Sequence, residues 1–156
     1  GGGSTELTLI REGRRVEGRS FKVGAVRLLK DKVDDKVWDK MAEWCGAMAK
    51  VHGLSAPIAI GAGGNINRLF KLGGCMGSDL MTHDKLTSVV DRMAACTYTE
   101  RMVKFQLKPD RADVVVPAGR IYLRAMELFR SKGILVPKVG LADGIILDVY
   151  SAMRKG

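Results

Sequence analysis

The sequence is poor in cysteine, histidine and aromatic residues, and each shortage removes a class of function. Cys45, Cys75 and Cys96 are an odd number with no C-x-x-C spacing, which points to reduced thiols rather than a disulfide framework or a zinc knuckle. Aromatic side chains make up 6% of the chain and its tryptophans are Trp38 and Trp44, too few for the stacking platform that single-stranded nucleic acid needs. No apolar run approaches the roughly 20 residues that cross a bilayer, and no charged segment followed by an apolar stretch marks secretion. A cytoplasmic protein with neither membrane nor nucleic acid as partner is expected. An initiator methionine is also lacking, as in a processed protein or a cut piece. There is no internal repeat and no low-complexity segment.

What remains is ordinary for one globular domain: 156 residues, 46% hydrophobic and 28% charged, long enough to bury a core without staples. The net charge of +9 is unevenly placed, with seven Lys/Arg against three acids in residues 1–30 and eight against three in residues 101–132. Residues between them are near neutral. Brought together, the two stretches would concentrate polyanions; kept apart, they are a solubilising surface.

Periodicity predicts an α/β domain. "TELTLI" and "RRVEGRSFKVG" flank the turn-like "REG" and read as two antiparallel strands. Val37, Met41, Trp44, Met48 and Val51 line one face of a helix that Gly53 would stop. A short strand from Pro57 to Ile60 runs into glycines and a helix, with Asn65 as its expected N-cap. Thr82 caps the next segment, which reads as two helices broken near Thr97. Ile121, Ala125 and Leu128 form a further helical stripe closed by Gly133, "ILVPKVG" is a short strand, and "LADGIILDVYSAMRKG" is a final helix with a basic end. The expected order is ββ-α-β-α-α-α-β-α around a small mixed sheet.

Two glycine clusters are the candidates for chemistry. Gly61, Gly63 and Gly64 sit between a strand and a helix, where free N–H groups and the helix dipole suit a phosphate; a tight turn needing glycine is the plainer alternative. The opening "GGGSTE" is compatible with a flexible linker and equally with a phosphate turn, followed by the hydroxyls of Ser4 and Thr5 and the carboxylate of Glu6. Such a carboxylate can hold a divalent cation or orient water. Two such turns at the strand ends of one sheet would form the jaws of a phosphate cleft. His52 reads as a helix-end partner, Cys75 as a buried thiol and the tryptophans as packing residues. His83 with Asp79 and Asp84 is a weak metal candidate, and Lys22 and Arg27 are polyanion contacts by charge alone.

The motifs taken together carry a resemblance. "GGGSTEL", "FKVGAVRL", "IAIGAGGNINRL", "RADVVVPAG" and "VGLADGIILD" occur in the order seen in the exopolyphosphatase / guanosine pentaphosphatase (Ppx/GppA) family, and the chain resembles the C-terminal half of that family's catalytic core. The resemblance spans nearly all of residues 1–156 and implies a native GGGS. It implies a ribonuclease H-like, actin-like ATPase domain, small mixed sheet flanked by helices, forming the second half of a two-domain core. The first half, with its own phosphate loop and the glutamate taken as general base, is outside this sequence, as is an aspartate just before the glycines.

On that resemblance Gly1, Gly2, Gly3 and Ser4 contact terminal phosphates, and Glu6 positions water or magnesium (Mg2+). Gly61, Gly63, Gly64 and Asn65 line the facing wall. Arg111 either reaches the phosphates or pairs with Asp110 or Asp113 at a helix start. The implied activity is Mg2+-dependent release of terminal phosphate from polyphosphate or pppGpp by the whole protein, with this half inactive alone and prone to form a homodimer. The rivals are a non-catalytic polyphosphate- or nucleotide-binding sensor and, further off, a sugar-kinase-like phosphotransferase.

Overall fold

A reversal at Glu12-Gly13 begins the fold. In the computed structural model, which describes residues 1–154, both residues take positive φ, 51° and 72°. That pair of left-handed conformations matches the twist of a two-residue hairpin. Strand β1 (Thr5–Arg11) therefore pairs antiparallel with β2 (Arg14–Phe21), Thr5 opposite Phe21 and Arg11 opposite Arg14, with a bulge at Leu9/Ile10. A short helix, α1 (Ala25–Leu29), follows and leads to the long helix α2 (Asp35–Val51), capped by the Asp34 carboxylate, which accepts from the Lys36 amide at 2.9 Å. The expected stripe holds through Met41 and Trp44, with Cys45 added, but runs out in the last turn, where Val51 is 71% exposed. Gly53 ends the helix as expected: its φ of 59° lets the Leu54 amide reach back to Ala49 at 2.9 Å.

Strand β3 (Ile58–Ile60) leads into α3 (Gly64–Leu72). Then come α4 (His83–Ala94), started by the expected Thr82, and α5 (Tyr98–Lys104), whose start at Thr97 falls where the break between two helices was expected. Thr82 accepts from the Lys85 amide, and Thr97 forms a reciprocal capping box with Glu100. A one-turn helix, α6 (Pro109–Ala112), precedes α7 (Val115–Leu128), strand β4 (Gly133–Leu135) and α8 (Leu141–Met153). Gly133 does not close α7; it is the first residue of β4, opposite Ile58, and the chain leaves the helix at Phe129 and at Arg130, which takes φ 49°. Lys155, at the expected basic end of α8, lies outside the described residues.

The single mixed sheet expected from the sequence is not formed among the described residues. β1 pairs with β2, and β3 pairs in parallel with β4, giving two separate two-stranded sheets. Residues of β1 and β3 line one cleft, but the two strands share no ladder: β1 finds its partner in the adjacent hairpin strand and β3 in β4. The architecture is mixed α/β, with small sheets and more helix than strand.

Helix α7 joins two cores. Its Val115, Val116 and Met126 pack with Ile66, Leu69, Leu86 and Met93, while its Ile121 packs with Phe21, Val23, Met41 and Trp44. Trp44 makes edge-to-face contacts with Phe21 at 5.8 Å and Phe129 at 6.4 Å, so both tryptophans serve packing as expected. Burial pushes the Cys45 thiol up to about 11 against the opposing pull of Arg124, which leaves it protonated and inert. Among the described residues none of α8 belongs to either core, and its Ile145, Ile146, Leu147, Val149 and Tyr150 are exposed. Among the described residues no helix is long and apolar enough to cross a membrane.

Candidate phosphate cleft

The first glycine loop is shaped from behind by α1. The Ala25 amide donates to the Gly1 carbonyl at 3.1 Å, and the Val26 and Arg27 amides donate to Gly2 at 3.1 and 3.3 Å. The Arg27 Nε donates to Gly3 at 2.8 Å. A trans peptide points its N–H opposite to its C=O. With the three glycine carbonyls turned to α1, the amides of Gly2, Gly3 and Ser4 point away from it. This close approach requires Gly24, because a methyl there would lie 2.5 Å from the Gly2 carbonyl carbon and 2.6 Å from that of Gly3. The Thr5 hydroxyl donates to Val23 at 2.6 Å and fixes where β1 starts. Arg27, expected as a polyanion contact, thus has a structural partner, and Lys22 is exposed outside the cleft.

The second loop runs from β3 into α3. Gly63, at φ 124° and ψ 163°, holds the N-cap position expected for Asn65, and no side chain caps the helix. Only glycine adopts that conformation readily, and it aims the first-turn amides of α3 outward without a competing acceptor. Asn65 is instead the second helical residue, its Oδ1 accepting from Arg111 Nη1 at 3.4 Å. Of the two expectations for Arg111, the structure shows the pairing, its Nε 3.6 Å from Asp110, and it places the guanidinium over Gly64, where a methyl would come within 3.1 Å. The Tyr122 hydroxyl, from α7, donates to the Ala62 carbonyl at 3.0 Å. Gly61 is buried, its amide donating to Leu135 at 2.8 Å, and a methyl there would sit 2.7 Å from Ile134 Cδ1.

The two loops open into one cleft of about 660 Å³. Gly1, Gly2, Ser4, Thr5 and Glu6 of the first segment and Ala62, Gly63, Gly64 and Asn65 of the second, with Arg111, all line it. The floor is apolar, formed by Ile121, Ala125, Met126 and Ile134 beside Tyr122. Gly3 and Gly61 do not line it. Glu6 is the one carboxylate and Arg111 the one cation among the lining residues. The arrangement offers two sets of outward amides, a helix N-terminus and a guanidinium to an anion, and one carboxylate to a cation or water.

Among the described residues no group of three or more His, Cys, Asp or Glu is placed to hold a metal. A lone carboxylate fits Mg2+ carried partly by substrate phosphates and water, which is how this ion is usually held, and does not fit an all-protein cage. His83 lies 3.5 Å from Glu127 and 3.8 Å from Asp84 at the start of α4, away from the cleft. Cys75 is buried, and His52 ends α2 with its amide bonded to Met48 at 3.0 Å. Sequence reasoning gave no role to Gly24, although it stands within "FKVGAVRL", and missed Tyr122. Each acts on a loop distant in sequence, and no local pattern announces that contact.

The sequence matches the Ppx/GppA phosphatase family over residues 1–152. No curated protein matches it significantly. The fold is similar to that of the Aquifex aeolicus Ppx/GppA phosphatase, with a TM-score of 0.72 at 22% identity, covering 95% of this chain and 54% of that one. It is similar also to an exopolyphosphatase from Cytophaga hutchinsonii, with a TM-score of 0.73 at 20% identity, covering 97% of this chain and 55% of that one. The chain thus spans about half the length of these structures. With the family's sequence pattern over nearly its whole length and the fold of solved members, the chain belongs to the Ppx/GppA phosphatase family.

Proposed function

We propose that the chain is one lobe of a phosphoanhydride hydrolase with actin-like architecture. In the whole protein, water attacks the terminal phosphoryl group of inorganic polyphosphate or pppGpp. The observation that carries this reading is the convergence of two carbonyl-averted glycine loops on one cleft. Reactions of this kind depend on positioning and charge stabilisation rather than on a covalent nucleophile, and the cleft offers the groups for both.

In this reading the amides of Gly2 and Ser4, with the Ser4 hydroxyl, hold the terminal phosphate, Gly3, which does not line the cleft, makes the turn between them with its amide averted from α1, and Gly1 sets the entry to that loop. Gly63, Gly64 and Asn65 present the α3 N-terminus to the phosphates that follow, and Arg111 neutralises charge there. Gly61 serves by letting Ile66 and Ile134 close behind the loop. Glu6 would orient the attacking water and would hold Mg2+, which when bound would supply charge neutralisation at the phosphoryl group. The remaining half of the core supplies the general base, and the exposed apolar face of α8 is the surface we assign to contact with that half or, in its absence, with a second copy. A cytosolic setting accords with three free cysteines.

One observation favours a second reading, a binding module without turnover: Glu6 is alone as a carboxylate in the cleft. Mg2+-dependent phosphate release from polyphosphate and from pppGpp separates the two, measured on this chain, on the chain joined to its remaining half, and on Glu6→Gln of each. Release by the joined protein alone, cut about a hundredfold or more by Glu6→Gln, is expected. Tight polyphosphate binding by an inert joined protein would replace the hydrolase with the sensor.

A further inference from the structure

We infer that Tyr122 is a positioning residue for the second glycine loop: its hydroxyl fixes the Ala62–Gly63 peptide so that the loop turns amides, and not a carbonyl, towards bound phosphate. The inference rests on the phosphate-cleft reading above and adds to it a residue that the family's glycine motifs do not contain.

Little else holds that peptide. Gly63 stands at φ 124°, in a region closed to other residues, and a glycine there can rotate to several other conformations at small steric cost. Rotation of the preceding peptide would swing the Ala62 carbonyl towards the α3 N-terminus. Its oxygen would then compete with the phosphate for the first-turn amides and repel the anion itself. In the first loop four donors prevent the equivalent event. In the second, the Tyr122 hydroxyl at 3.0 Å is the one donor to the Ala62 oxygen among the described residues. Neither end of this bond is local: residue 122 lies on α7, whose neighbours in both cores fix where the ring sits. Burial pushes the Tyr122 phenol up from its ordinary value, so the hydroxyl keeps its proton through neutral and mildly alkaline pH.

Removing only the hydroxyl isolates the effect. Amide-resolved NMR of the 156-residue chain, titrated with inorganic tripolyphosphate, reads both loops separately in one sample. In the unmutated chain the amides of Gly2, Gly3 and Ser4 and those of Gly63, Gly64 and Asn65 should shift together. In Tyr122→Phe the apparent affinity read at Gly63–Asn65 should fall about tenfold, the scale of one lost hydrogen bond, while that read at Gly2–Ser4 changes less than about twofold. A second variant, Tyr122→Leu, should give the same loop-specific loss, since the two share only the missing hydroxyl. A merely structural tyrosine would lower the thermal midpoint and leave the second loop's response intact, which overturns the inference. Equal weakening at both loops overturns it too. If neither loop of the unmutated chain responds, the phosphate-cleft reading itself falls and takes this inference with it.

Discussion

Behind the first glycine loop stand four donors, three of them backbone amides of α1 and the fourth the Arg27 side chain; behind the second stands the Tyr122 hydroxyl. Both loops line the same cleft and offer the same chemistry, yet the carbonyls of the first are held mainly by backbone amides, whereas the Ala62 carbonyl of the second is held by a single side chain. A backbone hold is insensitive to most substitutions, because every residue but proline carries the amide. Its weak point is where the two backbones touch, at Gly24. A side-chain hold can be removed or altered by one substitution without rebuilding the fold, so the second loop is the side of the cleft that sequence change can tune.

The sharpest way to break this comparison is Gly24→Ala. The added methyl meets backbone atoms of Gly2 and Gly3, which have no rotamer to give, so a loss of about 1–3 kcal/mol in denaturant unfolding is expected. The first loop's tripolyphosphate response should vanish while the second's survives. Unchanged stability would mean that α1 does not seat the loop. Next in size is Gly63→Ala, which places a side chain at φ 124° and should cost about 1–2 kcal/mol with loss confined to the second loop. A smaller effect is expected from Arg27→Gln. It removes one of four donors, about 0.5–1.5 kcal/mol, and the loop should still bind because the α1 amides remain. If Arg27→Gln silences the first loop as thoroughly as Gly24→Ala does, the distinction between backbone and side-chain support fails.

The smallest expected effect is acid loosening of the wall that carries Arg111. The Glu100 carboxyl is held down to about 2, first by the hydrogen bond from Lys104 and then by those from Thr97, against an ordinary value of 4.5. A depressed carboxylate stabilises the fold above its unfolded value, and that contribution is lost as pH falls from about 4.5 towards about 2. α5 touches α6 through the Tyr98 hydroxyl on Pro109 at 3.4 Å. Amide exchange on acidification should therefore quicken at Thr97–Glu100 and then near Arg111 before it does at Gly2–Ser4. Simultaneous loosening of both walls would place the acid-sensitive group elsewhere.

Much of the local structure was legible because single residues dictate it. Glu12-Gly13 permits the hairpin turn, Thr82 caps the helix assigned to it, Thr97 starts a helix at the expected break, and the spacing from Val37 to Met48 sets the buried face of α2. The two glycine clusters stand out in the sequence, and residues of both line one cleft, Gly3 and Gly61 excepted. What stayed hidden depends on how distant segments meet. β1 and β3 share no ladder, although alternation in each strand is compatible with one sheet. Asn65 reads as a cap by side-chain chemistry, but a glycine two residues earlier satisfies the required backbone angles better. Gly24 and Tyr122 act across 22 and 60 residues of sequence, from Gly2 and Ala62 respectively, which no periodicity encodes.

Helix α8 has the composition of a core helix, yet among the described residues its Ile145, Ile146, Leu147, Val149 and Tyr150 are exposed. Thirteen residues are near the length at which an isolated helix in water barely outweighs its coil. Its helical content should therefore act as a reporter: low and temperature-sensitive while the apolar face is bare, and cooperative with the rest of the fold once something covers that face. Residues 141–153 would then measure occupancy of the surface through a helix–coil equilibrium, with no label and no need for turnover.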